Sequence, residues 1–370
     1  MELPRQELLG DAALALNPCA LEVAFGSGAR ARVSARGEPR EAELRAYFGP
    51  GLRIDHTQDV QGHRFVAEFD LGDRDLAERS SAPGARALHA AAMARASART
   101  PPRILGILNV TPDSFSDGGQ WDDPTRAVER ALEMLRHGAD AIDIGGESTR
   151  PGATPVTLEE ERRRVLPVIR ELARKTQALI SVDTTKARLA AEALDLGAGM
   201  VNDISAGRFD PEMLPLVARR GAGLALMHMQ GTPQDMQVAP RYSDVVEEVT
   251  GFLRERASSC WRAGIAAERL WIDPGFGFGK TLEHNLQLLA RLGELRSLGL
   301  TLLVGPSRKS FIGAIDKIQL RPGSIGPADR IGGTAAALAA CVQGGADWLR
   351  VHDVATMAQA ARVAWAITSR

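Results

Sequence analysis

Past residue 100 the chain repeats one device, a short apolar run that ends in a polar group. In order the run ends are Ile107-Leu108-Asn109, Ile142-Asp143-Ile144-Gly145-Gly146-Glu147, Ile180-Ser181-Val182-Asp183, Val201-Asn202-Asp203, Leu226-Met227-His228, Trp271-Ile272-Asp273-Pro274-Gly275, Val304-Gly305-Pro306-Ser307-Arg308-Lys309 and Leu349-Arg350-Val351-His352-Asp353. The fifth, ending in Met227-His228, is the quietest. Such runs are the signature of parallel strands buried on both faces. Between and after them the pattern predicts helices over 124–137, 158–175, 186–196, 211–219, 243–263, 282–298, 328–343 and 355–367. Gly138, Gly197, Gly221, Gly264 and Gly344 stand where a helix C-terminus wants glycine. Eight strand–helix units in roughly 270 residues match the size of an α/β protein of the (β/α)8 TIM-barrel type. The structural alternative is a doubly wound open sheet, which gathers its ligand groups at one switch point. Polar groups at the end of essentially every strand favour the closed barrel, with the chemistry on one rim.

Residues 1–98 follow another pattern. Alternating apolar runs (21–33 and 64–69), a charged helical stretch (40–47) and an Ala-rich one (85–96) suggest a small α+β appendage. The segment 73–83, rich in charge and Ser, reads as a loose connector within it. Thr100-Pro101-Pro102 marks the boundary, because the residue before a proline avoids helix. The expected domains are therefore 1–98, of unassigned role, and 99–370, the catalytic barrel.

Composition narrows the function without naming it. The 370 residues are 44% hydrophobic and 25% charged with a net charge of −1, which argues against nucleic acid or an acidic membrane as a partner. No apolar stretch approaches a membrane span. The opening Met1-Glu2-Leu3-Pro4 lacks the pattern of a signal peptide. Cys19, Cys260 and Cys341 lie far apart with no CxxC spacing, so a reducing, cytoplasmic setting is expected. Only five of the 45 basic residues are lysine, and three of those (Lys186, Lys280, Lys309) come just after a run end. Where arginine is the default cation, a lysine there is a weak pointer to chemistry that wants a compact point charge.

A lone carboxylate at a strand end is more often a helix cap than a catalyst. Asp143, Asp183 and Asp273 with Asn202, converging on one rim, reverse that preference. Together they suit the edge of a flat heterocycle rich in N–H donors and ring nitrogens, such as a pterin or guanine-like ring. The stretch from Asp273 to Thr281 invites a phosphate-loop reading, but Pro274 stands where that motif needs glycine. Its three glycines would still let backbone approach a ligand closely. Ser307-Arg308-Lys309 puts a basic pair at a helix start, against the helix dipole, which suggests an anionic or electron-rich ligand there. Arg350 and His352 share one side of a strand and, with Asn109, are placed to hold a phosphate or its metal. The polar stretches 110–119 and 145–152 follow run ends and are candidate lids.

These motifs carry a family resemblance. Asn109-Val-Thr-Pro-Asp-Ser-Phe-Ser-Asp-Gly-Gly, Asp143-Ile-Gly-Gly-Glu-Ser-Thr-Arg-Pro-Gly, Ser181-Val-Asp-Thr, Asn202-Asp-Ile, Asp273-Pro-Gly-Phe-Gly-Phe-Gly-Lys, Ser307-Arg-Lys-Ser and Arg350-Val-His-Asp resemble the dihydropteroate synthase family over roughly residues 103–370. The resemblance implies that 6-hydroxymethyl-7,8-dihydropterin pyrophosphate and p-aminobenzoate are joined to 7,8-dihydropteroate, releasing pyrophosphate in an SN1-like displacement. It also implies roles by position. Asp183, Asn202, Met227, Asp273 and Lys309 would hold the pterin. Asn109, Arg350 and His352 would bind pyrophosphate, with Mg2+ through Asn109 and loop carboxylates such as Asp113. Thr149, Arg150, Pro151, Phe278, Ser307 and Lys309 would form the p-aminobenzoate pocket. Asp143 would touch the first loop or the diphosphate, and the catalytic set would be Asp183, Lys309, Arg350, His352 and Asp143. A homodimer and a sulfonamide target are implied as well.

Two rivals stand beside this reading. A pterin-binding methyltransferase of the corrinoid type resembles the same barrel but has no pyrophosphate to bind, so Asn109, Ser307-Arg-Lys and Arg350-Val-His go unexplained. A non-catalytic homologue would be expected to lose anion-binding residues, and these are all present.

Overall fold

The computed structural model describes the strands at 21–25, 30–36, 52–59 and 62–70, and residues 100–111, 124–149, 152–319 and 326–370. The chain divides in sequence between Arg99 and Thr100 into two compact units. In the first, β1 (Leu21–Phe25), β2 (Arg30–Arg36), β3 (Leu52–Asp59) and β4 (Gly62–Asp70) form an antiparallel sheet in the order β1-β2-β4-β3. The expected helical stretches at 40–47 and 85–96 and the connector at 73–83 lie outside the described residues.

The second unit is the expected barrel. Its strands are β5 (Arg103–Asn109), β6 (Ala141–Gly145), β7 (Leu179–Asp183), β8 (Met200–Asp203), β9 (Gly223–Met227), β10 (Leu270–Asp273), β11 (Thr301–Val304) and β12 (Trp348–Val351). They pair in parallel around a closed ring in which β12 bonds to β5. The helices are α1 (Pro124–Arg136), α2 (Leu158–Lys175), α3 (Ala187–Asp195), α4 (Met213–Arg220), α5 (Val245–Arg262), α6 (Leu282–Ala290), α7 (Ser310–Gln319), α8 (Ile331–Gln343) and α9 (Val354–Thr368). The expected helices over 282–298 and 328–343 are each part α and part 3-10: Leu292–Leu298 follows α6, and Pro327–Arg330 precedes α8. Local sequence explains several helix starts. Thr157 accepts the Glu160 N–H ahead of α2, Asp244 accepts those of Val246 and Glu247 ahead of α5, and Thr281 forms a capping box with His284 at α6. Gly138, Gly197, Gly221 and Gly264 take positive φ at helix ends as expected. Past α8 it is Gly345 that does so, and Gly344 stays right-handed.

Side chains along a strand alternate between the barrel interior and the helix layer. Leu105, Ala141, Met200, Ala225, Trp271, Leu303 and Trp348 form one buried interior cluster, with Leu179 packed against it. Trp271 and Trp348 stack with ring centroids 4.5 Å apart, a pairing that contributes about 1 kcal/mol beyond burial of their area. One step of two residues beyond this plug come Asp143, Ser181, Asn202, Met227, Asp273 and Arg350, and a further step brings Asn109, Asp183 and His352. The same alternation that fills the core with apolar side chains thus aims the polar run ends into the mouth. Below the plug, Asp140 and Asp347 accept the N–H groups of Ile104 and Leu302, each at 2.7 Å.

The glycine-rich turn after β10 lies close against the protein's own backbone. Gly275 has φ +67°, and a Cβ there would lie 2.1 Å from the carbonyl oxygen of His228. Gly279, at φ +61°, is pressed in the same way against the carbonyl of Gln230. Gly275→Ala should therefore cost roughly 3 kcal/mol or more of unfolding free energy, read as a fall in the denaturant midpoint. An unchanged midpoint would contradict the close approach.

Candidate active site

The polar run ends assemble around Arg350. Its Nε donates to Asp143 Oδ2 and its Nη2 to Asp183 Oδ2, both at 2.6 Å. The Asp143 Oδ2 also accepts from Asn202 Nδ2 at 2.9 Å, and its Oδ1 has no hydrogen-bond partner among the described residues. Asp143 is wholly buried, so it reaches the site through Arg350 and Asn202. Burial pushes the Asp183 carboxyl upward, Arg350 pulls it back, and the nearby Asp143, Glu161 and Asp203 add to the push. For Arg350, burial lowers the pKa, but Asp143 and Asp183 outweigh it, and the guanidinium stays charged.

Asp273 ends β10 and accepts the Gly275 N–H at 2.7 Å. Burial raises its pKa against that bond and the nearby Lys309. Lys309 is pushed down to about 8 by burial and by Arg350, against the pull of Asp273 and Asp183. Its ammonium lies 3.8 Å from the centroid of the Phe278 ring, a cation–π contact. Phe278 in turn packs with Met227, Ile204, Met229 and Met236. Thus two residues assigned to the pterin, Met227 and Lys309, both meet Phe278, which was assigned to p-aminobenzoate.

The basic pair before α7 splits. Arg308, at φ +58°, turns away to Asp353, its Nε donating at 2.8 Å and its Nη2 pairing with the other oxygen. Arg308 is thus committed to Asp353, and of the basic pair it is Lys309 that lies by Asp273 and Phe278. Ser307 is buried, and its Oγ lies 3.1 Å from His352 Nδ1 while accepting the His352 N–H at 3.3 Å. With that N–H directed at Oγ, the hydroxyl proton is free to go to Nδ1, which leaves the ring proton on Nε2. Burial, then Arg350, Arg308 and Lys309, lower the His352 pKa to about 3. Its imidazole is therefore neutral at neutral pH, and Arg350 beside it keeps its charge.

Asn109 ends β5 half-buried, and Thr149 is half-buried in the loop after β6. Asp113, Arg150 and Pro151 lie outside the described residues, as does most of the 110–119 loop. Among the described residues no group of three or more His, Cys, Asp or Glu side chains is arranged to hold a metal, and no helix is long and apolar enough to cross a membrane. Cys260 and Cys341 are buried free thiols.

Two lysines carry structure that sequence motifs alone do not specify. Lys280 is buried and donates to His228 Nδ1 at 2.9 Å, Gly275 O at 3.0 Å and Phe278 O at 2.9 Å, pinning the β10 turn to the end of β9. Burial and Lys280 together lower His228 to about 2. Lys186 pairs with Glu147 and Glu161. Their signal in the sequence was the scarcity of lysine.

A barrel whose mouth carries three inward carboxylates, an amide, a half-buried lysine and a guanidinium has the groups that suit a polar heterocycle. Residues 105–352 match the family described as pterin binding enzyme. The chain is 48% identical over 268 residues to dihydropteroate synthase of Escherichia coli, covering 72% of this chain and 92% of that one. It is similar to the Xanthomonas albilineans dihydropteroate synthase solved with 4-aminobenzoic acid (48% identity, TM-score 0.66, 73% of this chain and 94% of that one). It is also similar to the Yersinia pestis dihydropteroate synthase solved as a sulfonamide drug complex (44% identity, TM-score 0.68, 73% and 95%). The chain belongs to the pterin-binding enzymes, in the dihydropteroate synthase family.

The state of His352 can be checked directly. A group whose folded pKa lies below its unfolded value supports folding fully above the unfolded value, about 6.5 for His, and loses that support as pH falls toward the folded value. The His352 imidazole should therefore stay neutral by NMR from pH 8 down to about 5, in difference spectra against His352→Gln. A midpoint near its ordinary value would contradict the burial account.

Proposed function

We propose that this chain is a transferase that joins 6-hydroxymethyl-7,8-dihydropterin pyrophosphate to p-aminobenzoate, giving 7,8-dihydropteroate and pyrophosphate. The observation that carries the reading is the Asp143–Arg350–Asp183 bridge, which places a heterocycle-binding carboxylate and an anion-binding guanidinium in contact. Asp183, Asn202, Asp273 and Lys309 bind the pterin edge, with Met227 against its face. Arg350, His352 and Asn109 receive the diphosphate. Thr149, Arg150, Pro151, Phe278 and Ser307 enclose the arylamine.

The methylene C–O bond breaks with its electron pair going to pyrophosphate. The electron-rich pterin carries the resulting cation, and the Asp183 carboxylate faces it. The arylamine lone pair then forms the C–N bond, and the nitrogen loses its proton to water. No strong base is required, since an arylamine is neutral at pH 7. Arg350 supplies charge to the leaving group and the Nε2–H of His352 a hydrogen bond, in a mouth where such groups are preorganised.

Mg2+ fits the donor chemistry. It takes hard oxygen ligands, keeps several waters and is commonly held by one or two protein oxygens plus substrate phosphates. The amide oxygen of Asn109 and the Asp113 carboxylate supply that kind of donor, and the described residues hold no closed cage for another metal. When bound, Mg2+ neutralises charge on the diphosphate. A homodimer, a cytoplasmic location and sulfonamide sensitivity accompany this reading; the sulfonamide-bound relative supports the last.

Asp183→Ala and Lys309→Ala should fold, yet each should lose about 3 kcal/mol of transition-state stabilisation, roughly a hundredfold or more in kcat/KM. Circular dichroism and steady-state kinetics measure the two halves of that statement. Near-normal kcat/KM in either variant removes the role given to that residue.

A further inference from the structure

One part-buried charged cluster takes no part in the chemistry above. Glu147 opens the loop between β6 and α2, Glu161 lies wholly buried in α2, and Lys186 caps α3 three residues beyond Asp183. The Lys186 ammonium donates to Glu147 Oε2 and to Glu161 Oε2, each at 2.5 Å. The other Glu147 oxygen, Oε1, accepts the Val156 N–H at 3.2 Å. Arg164 of α2 donates to the Gly146 carbonyl at 2.7 Å.

Val156 lies nine residues downstream of Glu147, so this one carboxylate fastens both ends of the loop into a neck. The same carboxylate is tied through Lys186 to the segment that leaves β7 just after Asp183. Apolar packing of equal volume would secure a helix junction at least as well as a buried ion cluster. What the charges add is direction, a fixed register between the neck and the strand that ends in Asp183.

We propose that Glu147 and Lys186 are positioning residues for the arylamine. They hold the neck of the β6–α2 loop, on which Thr149 sits, in register with Asp183, and so set affinity and selection among p-aminobenzoate analogues without touching the reacting atoms. This rests on the synthase reading.

Glu147→Ala removes both bonds, whereas Glu147→Gln keeps one acceptor oxygen, puts an NH2 donor in place of the other and loses the charge. In the full chain, Glu147→Ala should raise KM for p-aminobenzoate about tenfold or more while kcat and KM for the pterin substrate stay within about twofold. Glu147→Gln should recover part of the loss, and amide exchange at Val156 should rise in Glu147→Ala. Lys186→Met combined with Glu161→Gln, which leaves unpaired only the partly exposed Glu147 carboxylate, should reproduce the KM split. A fall in kcat with both KM values unchanged, or kinetics and exchange equal to wild type, overturns the proposal. Should the wild-type chain show no turnover dependent on p-aminobenzoate, the synthase reading falls, and exchange decides the neck. Equal protection of Val156 in wild type and Glu147→Ala then overturns it, and a rise supports it.

Discussion

A guanidinium held between two carboxylates organises the mouth of this barrel. Asp143 has no exposed surface, Asp183 little, and either one left without a cation would carry a desolvation cost of several kcal/mol. Arg350 removes that cost for both, and the two 2.6 Å bonds from its fork fix the spacing of β6, β7 and β12 at their C-terminal ends. Asn202 of β8 joins through the same Asp143 oxygen. Four strand ends are thereby locked into one hydrogen-bonded unit before any ligand arrives. The arrangement also places charge for chemistry, since a ring that takes over Asp183 meets a cation already beside it.

The opposite side of the mouth is set by a different constraint, the close approach of backbones. Lys280 gathers the carbonyls of Gly275 and Phe278 and the ring of His228, and glycines at positive φ let the β10 turn lie against the end of β9. That turn carries Phe278 under the Lys309 ammonium and fixes Asp273 through the Gly275 N–H. Lys309 and Met227 thus share one support in Phe278.

Much of this was legible in the chain. The barrel followed from apolar runs that end in polar groups, because parity along a strand ties the apolar plug (Ala141, Trp271, Trp348) to the polar mouth (Asp143, Asp273, Arg350). Helix ends were legible where a glycine or a capping side chain acts locally, as at Gly221 and Thr281. What escaped was pairing across the ring. No spacing within one motif says that Arg350 meets Asp143, 207 residues away, or that Arg308 spends its charge on Asp353. The neutral state of His352 escaped too, since it depends on burial and on cations from other elements. The scarcity of lysine pointed to Lys186 and Lys280 but not to their partners, which only the folded chain brings within reach.

The central claim is that this mouth couples departure of a diphosphate to attack by an arylamine. The most direct measurement mixes the full chain with Mg2+, the dihydropterin pyrophosphate and p-aminobenzoate, and follows pyrophosphate and dihydropteroate together. The account predicts that both appear in equal amounts and that neither appears when p-aminobenzoate is left out. Absence of release, or release that is indifferent to p-aminobenzoate, would contradict it.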